Sequence, residues 1–357
     1  LTKFITGGPD GDLGSNEILL GSEIITAICD GSASLHDPDG LNRAELIRLA
    51  KSRSTVSHFN RKLLGKKGFL VLVTDTDIEL PDGTVVDDGR SFRDSFHFSR
   101  YSNADTFVPC GGRPAAITLE TVHQLLLDTP HATGEAMLNG LITVTSDMLK
   151  YKYIVEGANL FITQDARLAL EACGVHLFKD SSANKGGVTS SSIEVFASLA
   201  LGDDEHKALM CVSESGNLPE FYIKMVRDIK TTVEENSRRE FEVVWRDSQA
   251  GFLQGRKTLI SDELSRKIVE IKEFIATSDL ADDKQLFKHV IERYTPPTLL
   301  AQVGIDTLLT RVPHNYLCAI FQTSIASDFV YTAGMNANEF SFFQYMHQLY
   351  AKIGRRP

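Results

Sequence analysis

Short apolar runs alternate with stretches of helical period through the first 200 residues. Residues 3–6, 24–29, 68–73, 106–109, 153–155 and 175–178 are brief and rich in β-branched or aromatic side chains, as the strands of a covered sheet are. Between them, 42–52, 119–127 and 165–171 carry the spacing of helices. This alternation predicts an α/β fold, a Rossmann-like, mainly parallel, doubly wound sheet with helices on both faces. Leu80-Pro81-Asp82-Gly83-Thr84 interrupts it, and its Asp-Gly pair marks a tight turn, so 75–98 is expected to be an inserted β-hairpin. Beyond about Leu201 the period changes. Leu218, Phe221, Tyr222, Met225, Ile229 and Val233 recur at helical spacing, as do Leu264, Ile268, Ile271 and Ile275, with Ser261-Asp262 as the expected cap of the second set. Pro296-Pro297 opens another helix, and Phe340, Phe343, Met346, Leu349 and Ile353 stripe a last one. The chain is thus expected to divide into a sheet domain over 1–205 and a mostly α-helical C-terminal region over 206–357.

Composition narrows the class. With 42% hydrophobic and 24% charged residues in 357, the chain reads as a soluble globular protein with a sizeable core. A formal charge of −10 opposes nonspecific binding to nucleic acid, and no apolar run is long enough to span a bilayer. Cys29, Cys110, Cys173, Cys211 and Cys318 are widely spaced and form no C-x-x-C. They fit reduced thiols of an intracellular protein, cytoplasmic or mitochondrial, and neither a disulfide framework nor a metal site. His36, His58, His97, His123 and His314 are scattered and read as surface or satisfied side chains. Leu1 is no initiator and the chain opens inside a strand, so a piece of a longer polypeptide is expected.

The chemistry concentrates in two glycine-bearing segments. Gly7-Gly8-Pro9-Asp10-Gly11-Asp12-Leu13-Gly14 follows the first strand. Glycines at 11 and 14 let the backbone turn tightly beside a pyrophosphate, and the helix that follows aims free N–H groups at it. Asp30 ends the second strand, 19 residues beyond Gly11, where a carboxylate can accept hydrogen bonds from a ribose and repel a 2′-phosphate. NAD is therefore favoured over NADP. Pro9 breaks the strict G-x-G-x-x-G pattern, and a plain strand-to-helix turn is the simpler alternative. The second segment is Asn184-Lys185-Gly186-Gly187-Val188-Thr189-Ser190-Ser191, read as a loop leading into a hydroxyl-rich helix start. It lacks the Gly-Lys-[Ser/Thr] that an ATPase phosphate loop needs, whereas its hydroxyls and backbone N–H groups suit a carboxylate. Val155-Glu156-Gly157-Ala158-Asn159 leaves another strand at the end where ligands bind in open α/β sheets.

Taken in order, these segments, with Cys29-Asp30-Gly31, Asp37-Pro38-Asp39-Gly40-Leu41 and Ala104-Asp105-Thr106-Phe107-Val108-Pro109, resemble the large NAD-dependent glutamate dehydrogenases of fungi and other microbes over roughly residues 1–200. The resemblance implies an oxidoreductase that converts L-glutamate to 2-oxoglutarate and ammonium, passing hydride to NAD⁺. It places the Asp12 and Leu13 amides, between Gly11 and Gly14, on the pyrophosphate, and Asp30 and Gly31 at the ribose. Cys110 and Gly111 would lie along the coenzyme, Asn159 and Asn184 on its nicotinamide side, and Ser191 would take a glutamate carboxylate. The family's catalytic lysine and aspartate belong to a preceding substrate domain. No catalytic residue is therefore assigned here, and the chain alone is expected to be inactive. Lys185 and the 75–98 insertion depart from the family pattern. A dehydrogenase of another amino acid, or a noncatalytic nucleotide-sensing module with a protein-binding tail, are the alternatives. The aromatic stripe near the end suggests self-association.

Overall fold

The computed structural model describes residues 1–213 and 216–354. The chain divides into two units, Leu1–Asn184 with Arg256–Thr258, and Lys185–Gly255 with Leu259–Pro357. In chain order the first contains β1 (Thr2–Thr6), α1 (Asp12–Leu20), β2 (Ile24–Cys29), β3 (Ala33–His36), α2 (Arg43–Ser52), β4 (Phe69–Leu72), β5 (Thr76–Glu79), β6 (Val85–Asp88) and α3 (Gly89–Ser95). There follow β7 (Thr106–Pro109), α4 (Gly134–Leu138), β8 (Tyr153–Val155), α5 (Gln164–Ala172), β9 (His176–Phe178) and α6 (Asp180–Ala183).

Seven strands form one sheet in the order β4-β3-β2-β1-β7-β8-β9. β1 pairs in parallel with β2 and β7, β7 with β8, and β8 with β9, whereas β3 is antiparallel to both its neighbours. The sheet is therefore mainly parallel, and β3 alone runs against it. Alternation along β1 splits the core into two layers. Phe4 joins Ala27, Phe107, Ile154 and Leu177 on one side, while Ile5 joins Ile18, Ile28, Leu35 and Leu46 on the other. Phe4 stacks on Phe107 at 4.9 Å between ring centres, and Phe107 on Tyr151 at 4.8 Å. The inserted hairpin is β5 paired antiparallel with β6, turning through Asp82 and Gly83, where φ of +83° needs glycine. The helix expected over 119–127 shrinks to a 3₁₀ turn, Val122–Leu125. Its end is drawn into pairing instead: Leu127 N–H donates to the Met148 carbonyl and Lys150 N–H to that of Leu125. Tertiary pairing there outweighs local propensity.

The second unit is helical: α7 (Gly186–Ala200), α8 (Asp203–Met210), α9 (Glu220–Gln249), α10 (Lys257–Ala276), α11 (Lys284–Tyr294), α12 (Pro297–Val303), α13 (Ile305–Arg311), α14 (His314–Ala333) and α15 (Glu339–Lys352). The units change over at 184/185, earlier than the 205/206 at which composition changes. The reason is that α7 buries Ile193, Phe196, Ala197 and Ala200 among Met225, Leu286, Ile291 and Phe321 of the other helices. Pro297 opens α12 as expected. Ser261 and Asp262 do not cap a helix. They lie within α10, which starts after Gly255 at φ +73° and meets no breaker over 257–260. On α15, Met346 and Leu349 are buried while Phe340 and Phe343 face outward, 71% and 68% exposed. Among the described residues no helix is long and apolar enough to cross a membrane, and no three His, Cys, Asp or Glu side chains gather to hold a metal.

Candidate functional site

β1 lies between β2 and β7, so the connections from the sheet's centre diverge at this point, and a crevice opens at such a switch in open α/β sheets. Gly7 turns the chain there with φ of +87°. A Cβ on Gly7 would lie 2.7 Å from the Gly111 nitrogen, so the exits of β1 and β7 meet through bare backbone. Cys110 N–H donates to the Thr6 carbonyl (2.7 Å), and the Thr6 hydroxyl to that of Gly111 (2.6 Å). Burial pushes the Cys110 thiol far above its ordinary range, so it stays neutral.

Gly14 is the most constrained glycine of the loop. A Cβ there would come within 2.2 Å of the Gly8 carbonyl oxygen and 2.7 Å of that of Gly7, so α1 docks directly on its own approach. Gly11, the residue before α1, offers no side-chain cap. The first bond back along α1 runs from Ser15 N–H to the Gly11 carbonyl at 3.0 Å, and the amides of Asp12, Leu13 and Gly14 precede it. These donors sit at the positive end of the helix dipole, the arrangement an anion prefers. Asp12 places a carboxylate beside them, and Arg53 holds it at 2.9 Å while donating to Ser15 Oγ at 3.2 Å.

Asp30 stands beside Gly8, as its place after β2 predicts, yet it is only 5% exposed. Its Oδ1 accepts from Ser32 N–H (2.7 Å), Ser32 Oγ (2.6 Å) and Ala33 N–H (3.1 Å), and its Oδ2 from Val56 N–H (2.8 Å). The carboxylate therefore builds the turn 30–33 and ties it to the segment after α2. Its remaining acceptor capacity lies on Oδ2. Gly31, in the same turn, borders open space.

The exit of β8 closes the edge. Ala158 N–H donates to the Pro109 carbonyl (2.6 Å), and Asn184 Nδ2 to the Gly157 carbonyl (3.0 Å). A Cβ on Gly157 would lie 3.2 Å from Leu13 Cδ1. Leu13, Cys110, Gly111, Gly157 and Asn184 are thus brought together at the C-terminal ends of β1, β7 and β8. Asn159 is exposed two residues further along.

Beneath this loop lies an ion cluster that the sequence reading missed. Arg167 on α5 grips Glu156 with Nε at 2.7 Å and Nη2 at 3.1 Å, and reaches Asp180 at 3.3 Å. Asp180 also accepts from Leu160 N–H at 2.7 Å, holding Leu160 at φ +60°, which a side chain rarely adopts. Burial pushes the Glu156 carboxyl up to about 7, against the opposing pull of Arg167. For Asp180 burial also acts upward, but the Leu160 amide and Arg167 outweigh it and hold the group below its ordinary value. A signal was available, since Arg167 stands among the buried Ala166, Ala169 and Leu170 of one helix.

The segment after Asn184 is not the loop expected. α6 intervenes after β9, and Gly186 and Gly187 form the first turn of α7, which no side chain caps. Gly187 borders open space. The three serines lie one turn in. Ser190 Oγ donates to the Gly187 carbonyl and Ser192 Oγ to that of Val188, whereas Ser191 is exposed and its hydroxyl makes no hydrogen bond among the described residues. Lys185 reaches Glu240 on α9 at 2.5 Å. Asn184 belongs to the first unit and Ser191 to the second. Of the histidines read as surface or satisfied, His36 and His97 are buried. Burial drives His97 down to about 4, with the Ala116 carbonyl 3.4 Å from its Nε2.

The description of the Glutamate/Leucine/Phenylalanine/Valine dehydrogenase family matches residues 1–251. The chain belongs to that family. Among its relatives, "Glutamate dehydrogenase 2" of Dictyostelium discoideum is 45% identical over 348 residues, 98% of this chain and 32% of that protein. "NAD-specific glutamate dehydrogenase" of Neurospora crassa is 44% identical over 355 residues, 99% of this chain and 32% of its own length. The Saccharomyces cerevisiae protein of the same name is 41% identical over 353 residues, 96% of this chain and 31% of that one. The chain thus spans about a third of the length of these family members.

Proposed function

We propose that this chain is the coenzyme-binding part of an NAD-dependent glutamate dehydrogenase. The observation that carries the reading is the gathering of the uncapped α1 amides, the Cys110-Gly111 backbone and the Asn184 side chain at one end of β1, β7 and β8. In this reading the amides of Asp12 and Leu13 bind the pyrophosphate, with Gly11 and Gly14 giving access, and Asp30 and Gly31 border the adenosine ribose. Asp30 contributes through its fixed negative charge and the acceptor capacity left on Oδ2, which disfavours a 2′-phosphate. Asn159 and Asn184 hold the nicotinamide side, along a wall formed by Cys110 and Gly111. Ser191, whose hydroxyl its own helix does not use, receives a carboxylate of L-glutamate. NAD, when bound, supplies the hydride acceptor, and this chain's residues orient it and exclude water. The lysine and carboxylate that move protons as glutamate becomes 2-oxoglutarate and ammonium come from outside this chain. The names of the similar proteins support glutamate as substrate and NAD as coenzyme.

Calorimetric titration with NAD and NADP tests the coenzyme half of the proposal. Saturable NAD binding with much weaker NADP binding is expected, and equal binding of the two, or none, refutes it. NADH production from glutamate by the 357-residue chain alone would refute the assignment of proton chemistry elsewhere.

A further inference from the structure

An open cleft of about 570 Å³ lies among α7, α9, α11, α14 and α15 of the helical unit, a volume suited to a small metabolite. Two guanidiniums on its wall share one carboxylate. Arg239 and Arg293 reach Asp328 Oδ1 at 2.7 and 3.0 Å, and Tyr345 donates to Oδ2 at 2.8 Å. Burial acts upward on Asp328, but Tyr345 and the two arginines hold it below the usual carboxylate range, so it is ionised. The other acid on the wall, Glu235, accepts from Arg238 at 2.8 and 2.9 Å, and Arg238 also pairs with Glu242. The wall thus carries two guanidiniums and two carboxylates, and both guanidiniums converge on the single Oδ1 of Asp328. Donors are in excess. Nε and Nη1 of both Arg239 and Arg293 have no hydrogen-bond partner among the described residues, nor do the side chains of Asn236, Ser324 and Ser327. Donors in excess around two guanidiniums that share one carboxylate oxygen favour an anion that accepts from several at once, because planar forks bind carboxylate and phosphate bidentately.

We propose that this cleft binds a small organic anion, its carboxylate or phosphate held between Arg239 and Arg293 and its neutral polar groups by Asn236, Ser324 and Ser327. The site goes beyond the coenzyme reading and does not depend on it. The test is calorimetric titration of the protein with malate, glycerol 3-phosphate and, as neutral control, glycerol. Saturable binding of at least one anion and none of glycerol is expected, and the anion that binds more tightly identifies the group the site takes. Two variants locate it. Arg293→Gln changes a half-exposed arginine, and Ala319→Trp fills the cleft from an exposed position while leaving both arginines in place. Each should weaken the bound anion at least tenfold. Absence of binding by both anions, or an affinity unchanged in both variants, overturns the proposal.

Discussion

Replacing Asp30 by alanine separates a structural carboxylate from a ligand-binding one. A side chain that served only a ribose would weaken NAD and leave folding alone. The geometry predicts a folding defect as well, because the carboxylate accepts from three amides and a hydroxyl. Ser32 is half-buried, and water can replace the carboxylate for its two donors. Ala33 and Val56 are fully buried, and their amides would be stranded. At about 1–3 kcal/mol for each buried donor left unpaired, Asp30→Ala should cost roughly 2–6 kcal/mol. Asp30→Asn keeps the shape but turns one end into a donor facing either the Val56 amide or those of Ser32 and Ala33, so about 1–3 kcal/mol is expected. Urea unfolding followed by circular dichroism, with calorimetric NAD titration of each folded variant, measures both effects. Stability of Asp30→Ala within about 0.5 kcal/mol of the parent, an ordinary surface effect, would show that the four bonds do not hold the turn and refute the reasoning.

Three further changes probe other parts of the site. Arg167→Leu leaves Glu156 and Asp180 buried without their shared cation, and a loss of about 3–5 kcal/mol is expected by urea unfolding; an unchanged midpoint would count against the cluster. Gly14→Ala forces a methyl into the carbonyls of Gly7 and Gly8, so NAD affinity should fall at least tenfold by titration, and parental affinity would mean that the loop yields without consequence. His97, held near 4 by burial, stays neutral in the fold while the unfolded chain protonates near its ordinary 6.5. Its contribution is therefore intact above pH 6.5 and is lost as pH falls toward 4. The cost is about 3 kcal/mol at 1.36 kcal/mol per unit, and His97→Leu should flatten the stability curve across that window if the assignment is right.

Local chemistry along the chain was sufficient for the fold class. β-branched and aromatic runs separated by helical periods specify strands that need cover on both faces, and Asp82-Gly83 specifies a hairpin because few residues besides glycine tolerate that turn. The glycines around the start of α1 and the carboxylate after β2 are what spacing alone offers for the proposed nucleotide edge. Sequence could not decide which side chains are already occupied. Asp30 reads as an open acceptor until the fold brings Val56 to it, and Ser190 and Ser192 match Ser191 until α7 turns their hydroxyls onto its own carbonyls. Arg167 and Asp180 lie 11 and 24 residues from Glu156, and only the packing of α5 beneath the β8 exit makes them one cluster. The change of unit at 184/185 is likewise tertiary, because α7 buries its apolar face in the helical core although its own composition does not distinguish the two units. Period and turn chemistry are properties of neighbours in the chain, whereas hydrogen-bond occupancy and burial of charge belong to neighbours in space.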